Sequence, residues 1–132
     1  MRQDPTVFQC PPRLPVLISQ TVTIDEIPDG PITMTACKYH TQTDMESARL
    51  IGTRVIEGSE AVSLARQIKH GPPPDRRRRC PAPDTWEIWR IQQEGFPGIL
   101  LLVELGGCAY VTDGNAERAI PDGARAGLVE RF

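Results

Sequence analysis

The sequence predicts an α+β domain: an antiparallel sheet of about five strands, one amphipathic helix packed on one face, and two disulfides. Three observations carry that prediction. Several segments alternate apolar and polar residues with period two, the mark of half-buried strands. One segment, Ala61, Leu64, Ala65 and Ile68, instead follows the i, i+3, i+4, i+7 spacing of a helix stripe. Four cysteines, Cys10, Cys37, Cys80 and Cys108, stand in a small chain with 13 prolines, an even number that suits a crosslinked framework. A chain of 132 residues fits one domain that buries about two-thirds of its unfolded surface.

Residues 1–13 carry Pro5, Pro11 and Pro12 and read as an extended lead-in to a domain spanning 14–114. A first strand is expected where Val16, Ile18, Val22 and Ile24 share one parity, with Gln20 interrupting the apolar set. Pro28, Asp29 and Gly30 then mark a turn, since proline presets φ and glycine accepts positive φ. A second strand runs from Ile32 to about Tyr39. Pairing Ile24 with Ile32, Val22 with Met34 and Gln20 with Ala36 puts both apolar sets on one face and Cys37 on the other. A third strand is read from Ala48 to Glu57. Ser59 is the expected N-cap of the helix, Lys69 suits its C-terminal dipole, and Gly71 before Pro72-Pro73-Pro74 stops it.

The two strands after the proline-rich loop, Trp86 to Gln92 and Ile99 to Leu105, form a hairpin around Glu94-Gly95-Phe96-Pro97-Gly98. Centred near Glu94, it pairs Trp86 with Leu102 and Ile88 with Leu100. Ile99 to Val103 is apolar on both parities, as a strand covered on both sides requires. A short strand is expected from Ala109 to Thr112, before the Asp113-Gly114 turn, and residues 115–132 read as a mostly irregular tail. Four cysteines allow three pairings. The hairpin brings Cys80 and Cys108 face to face at its open end, which leaves Cys10 with Cys37 by elimination.

Read in order, Cys10-Pro11-Pro12, Ala36-Cys37-Lys38-Tyr39, the helix, Cys80-Pro81 and Gly106-Gly107-Cys108 resemble a group of exported actinobacterial proteins, often lipoproteins, with Cys-Pro, Cys-Arg-Tyr, helix, Cys-Pro and Gly-Cys blocks. Lys38 stands where that group has arginine. The resemblance implies an extracellular or cell-surface domain whose signal peptide is removed, and it brings no activity with it. Thirteen arginines against two lysines fit a GC-rich genome. A lesser likeness is to the bacterial subtilisin-inhibitor group, whose reactive loop begins Cys-Pro; here Cys80-Pro81-Ala82-Pro83-Asp84 matches that beginning, and Cys10 replaces a cysteine of the group's second loop.

Composition removes several function classes. A net charge of −2 supplies no general attraction to nucleic acid or anionic membranes. No stretch of about 18 apolar residues exists to span a bilayer. No cofactor motif, metal-ligand spacing or Ser-His-Asp arrangement is visible, so the expectation is a non-enzymatic domain without cofactor that binds a protein or cell-envelope ligand. The alternative is a serine-protease inhibitor using the loop from Cys80 to Asp84. Two features are candidate contacts: the run Arg76, Arg77, Arg78 and Arg79, suited to a polyanion but read first as a solvated loop, and Trp89, an anchor if exposed beside Arg90 but read first as packed under the helix. Asp25, Glu26 and Asp29 are read as turn chemistry rather than a Ca²⁺ loop, and His70 as a helix C-terminal residue.

Overall fold

The central strands of the sheet carry apolar residues on both faces, and the chain supplies a different cover for each face. In the computed structural model, which describes residues 8–15, 20–74, 84–105 and 108–120, six strands form one antiparallel sheet. They are β1 (Thr33–His40), β2 (Arg49–Ile56), β3 (Thr85–Gln93), β4 (Phe96–Glu104), β5 (Tyr110–Thr112) and β6 (Glu117–Ala119), in spatial order β2-β1-β3-β4-β5-β6. Helix α1 (Gly58–Lys69) joins β2 to β3, which lie parallel to one another on either side of β1. β6 falls inside the segment read as tail.

The first face carries Met34 and Ala36 of β1, Trp89 and Ile91 of β3, Ile99, Leu101 and Val103 of β4, and Val111 of β5. Ala61, Leu64, Ala65 and Ile68 of α1 pack on it, as the stripe predicts. The second face carries Cys37, Tyr39, Trp86, Ile88 and Leu102, and its cover is the lead-in. Phe8, Cys10 and Leu14 pack there, the Tyr39 hydroxyl donates to the Pro11 carbonyl at 2.7 Å, and Cys10 is bonded to Cys37 across a Cα separation of 5.7 Å. β4 is therefore covered on both sides, which explains its unbroken apolar run.

Three expectations are corrected. First, the expected first strand is not found at 20–24, its Val16 and Ile18 lying outside the described residues, and the partners of β1 are β2 and β3 instead. That segment crosses the rim of the core as a loop, burying Val22, Ile24 and Ile27, and then makes a 3-10 turn at Ile24–Glu26. The turn wins locally because the Glu26 carboxylate accepts from both the Thr23 amide and the Thr23 hydroxyl. Second, the β3–β4 hairpin turns tightly at Glu94-Gly95, with Gly95 at φ 83°, and pairs Trp86 with Glu104 and Ile88 with Leu102. The shift is two residues, so every side chain keeps its predicted face. Third, α1 starts at Gly58 with Glu57 as its N-cap rather than Ser59.

Gln20, which breaks the apolar alternation, has a structural task. Its amide carbonyl accepts from the Leu100 N–H at 2.9 Å, and its NH₂ donates to the Leu100 and Asp113 carbonyls at 2.6 and 3.1 Å. It thus continues the β4 ladder where β5 has ended. Gln20→Leu is expected to cost about 2 kcal/mol in urea denaturation, because an isosteric apolar side chain strands the Leu100 peptide group. A loss below about 0.5 kcal/mol would mean that water replaces the amide there. Gly71 ends the helix for a reason other than positive φ: a Cβ would meet the Ala119 carbonyl oxygen at 2.9 Å. The same approach lets the Ala119 N–H donate to the Pro72 carbonyl at 2.7 Å, which covers the outer edge of β6.

Candidate functional site

The sequence-predicted site residues separate in the fold. Arg76 to Arg79 and Cys80 lie outside the described residues, and with them the Cys80–Cys108 pairing and most of the Cys80-to-Asp84 loop. Among the described residues no cysteine is free. Asp84 accepts the Thr41 amide on its carbonyl at 3.0 Å, and its carboxylate lies 3.8 Å from His40 Nε2 in an open setting. Trp89 is not an exposed anchor. It is 1% exposed, seated under α1, because the sheet is covered on both faces and neither strand parity of β3 reaches solvent there. Trp86, on the opposite face, is also buried.

The acidic turn residues are used locally. Asp25 pairs with Arg118 at 3.3 Å, Asp29 pairs with Lys69 at 3.3 Å, and Glu26 is the cap already described. Among the described residues no group of three or more His, Cys, Asp or Glu is placed to hold a metal ion. His70 is the C-cap of α1, as its position predicts.

The strongest electrostatic feature was not read from the sequence. Glu87 faces the helix side of β3 and is fully buried, with one carboxylate oxygen accepting from the Trp89 indole N–H at 2.8 Å. Its other oxygen is buried with no hydrogen-bond partner among the described residues. Lys38 is the directly opposed residue on β1, and Arg54 of β2, which pairs with Glu60 at 3.1 Å, adds positive charge nearby. Burial dominates all three attractions and pushes the Glu87 carboxyl up to about 7. A carboxyl at that value changes charge near neutrality, which marks either a functional centre or a structural ion network. Full burial favours the structural role, since no solute reaches it. The sequence signal was available: Glu87 sits between Trp86 and Ile88 in a strand whose two parities are both apolar.

The sheet edges are the other surface feature. The β6 edge is covered at Ala119 by Pro72. The first residues of β2 are covered by the lead-in, with the Leu50 N–H donating to the Pro12 carbonyl at 3.0 Å and the Leu14 N–H to the Ala48 carbonyl at 3.2 Å. From Ile51 onward no described strand lies beside β2, and there the chain exposes two β-branched residues, Ile51 at 60% and Val55 at 49%. An open, apolar edge is a template for another strand.

No family model, curated protein or solved structure matches the chain. Among the described residues no helix is long and apolar enough to cross a membrane.

Proposed function

We propose that the chain is an exported, disulfide-stabilised, non-enzymatic domain that binds a protein or cell-envelope ligand. The observation that carries this reading is the Cys10–Cys37 bridge, which ties the lead-in over the second face of the sheet. Structural disulfides persist in oxidising compartments and are rare in reducing ones. A second bridge between Cys80 and Cys108, a removed signal peptide and a lipid-anchored precursor belong to the same reading. Arg76 to Arg79 remain its candidate contact for an anionic ligand. Nothing observed favours the protease-inhibitor alternative, whose loop is described only at Asp84.

The test is capture from cell-envelope fractions by the oxidised, folded chain. A saturable partner is expected, displaced by excess untagged protein and weakened when Arg76 to Arg79 are replaced by serine. Failure of the folded chain to retain anything in repeated trials would count against the binding role.

A further inference from the structure

We propose that the open part of β2 is a self-association surface, on which a second copy of this chain pairs its own β2 antiparallel about a twofold axis through Thr53. The inference goes beyond the binding role above and does not depend on export.

The edge is complementary to itself in one register. With Thr53 opposite Thr53, Ile51 faces Val55 of the second copy and Val55 faces its Ile51, so both exposed apolar residues are covered twice over. Thr53 and Val55 point to the second face, beside the buried Thr35 and Cys37 of β1. Slipping the pairing by one residue would set Val55 against Gly52, or against Leu50 where the lead-in already bonds, and would part Ile51 from Val55, so the pattern selects the register.

The charges agree with the same axis. Arg13 and Arg49, both exposed, form an isolated bridge at one end of the open edge, and Glu57, also exposed, lies at the other. A twofold at Thr53 carries Glu57 of each copy to the arginine pair of the other, one opposite-charge contact at each end. A parallel arrangement would instead set arginines against arginines, which is repulsive.

The length is limited from both sides. Residues 12–14 already occupy the edge at Ala48 to Leu50, and the register shift opposite Lys38 and Tyr39 bends β2 at Ile51. About five residues per copy remain, too small a contact for an obligate dimer. The assembly is therefore expected to be weak, with a dissociation constant on the order of 10–100 µM. Strand pairing between identical edges closes as a twofold dimer and leaves no free β2 edge to propagate.

Sedimentation equilibrium of the oxidised full chain between about 5 and 500 µM reads this directly. The native chain is expected to pass from monomer to dimer over that range. Val55→Lys, at a half-exposed position, should weaken association at least tenfold while leaving the melting temperature of a dilute sample unchanged. Glu57→Arg, which places like charges at both ends, should weaken it as well and does not touch the apolar contact. A native chain that stays monomeric throughout would overturn the proposal, including one whose β2 edge instead takes up a strand of a captured envelope protein. So would a dimer that both variants leave intact, since its interface would lie elsewhere.

Discussion

Replacing both members of the Cys10–Cys37 bridge by alanine is expected to cost about 3.6 kcal/mol, the loop-closure entropy of a 27-residue separation in the chain-entropy treatment. For a chain of this size that corresponds to a fall in melting temperature of roughly 10–15 °C. Alanine is the right substitution because Cys37 is fully buried among apolar neighbours and a serine hydroxyl would add an unrelated penalty. The loss has a location. Without the bridge, residues 8–14 are held, among the described residues, by three hydrogen bonds and by Phe8 and Leu14, so the second face should open before the first. Hydrogen exchange at Leu50, whose N–H donates to Pro12, should accelerate by more than that in β3. Equal acceleration everywhere would show that the lead-in is not a separate cooperative unit, and an unchanged melting temperature would show that the bridge is dispensable.

The second large effect concerns pH. Glu87 titrates near 7 in the folded chain against an ordinary value of 4.5, so the native state holds a proton that the unfolded chain has released across that window. Stability is then greatest below about pH 4.5 as far as this group is concerned, declines as pH rises towards 7, and stays lower beyond it. A rise from 4.5 to about 7 corresponds to about 3 kcal/mol. Glu104, half-buried on β4, is also raised by burial and adds a slope of the same sign, opposed by its hydrogen bond from Tyr110 and increased by Glu117. The difference between native and Glu87→Gln isolates the first group. Glutamine keeps an acceptor for the Trp89 indole and carries no charge, so the variant should match the native chain near pH 4.5 and exceed it by about 3 kcal/mol at pH 8. Glu87→Ala should instead be destabilised at low pH, where it leaves the indole N–H unpaired and a cavity beneath the helix. Parallel urea profiles for native and Glu87→Gln across the range would place the ionised form on equal terms with the neutral one, through Lys38 and Arg54.

Much of this architecture was legible because local pattern and tertiary burial agree where an element is amphipathic. The stripe of α1, the Ile32-to-Tyr39 strand, the β3–β4 hairpin and the short strand at Tyr110 all follow from period and turn chemistry. The hairpin register differed by two residues because a tight turn at Glu94-Gly95 replaced a wider one, a choice that side-chain parity does not encode. The segment around Val22 and Ile24 misled for a different reason. An apolar residue at every second position satisfies a loop that dips into the core as readily as a strand, and the deciding contacts, from Gln20 to Leu100 and from Glu26 to Thr23, are specific to this fold.

The candidate site was less legible than the fold. An anchor role for Trp89 requires one face of β3 to meet solvent; the lead-in covers the second face and the helix the first, so the packed alternative holds. Glu87 was overlooked because a single carboxyl in a strand reads as an outward residue until its two neighbours in space are known to be Lys38 and Val103. The open stretch of β2 became visible only once strand order placed it at an edge and the lead-in was seen to stop short of Ile51.

Unreduced peptide mapping of the protein isolated from its native source, alkylated while denatured, tests the account most directly. The predicted result is a linked pair of peptides containing Cys10 and Cys37, neither carrying the alkyl group. Recovery of both cysteines fully alkylated would contradict it, because the second face of the sheet would then be held without a covalent tie and the argument for an oxidising compartment would lose its support.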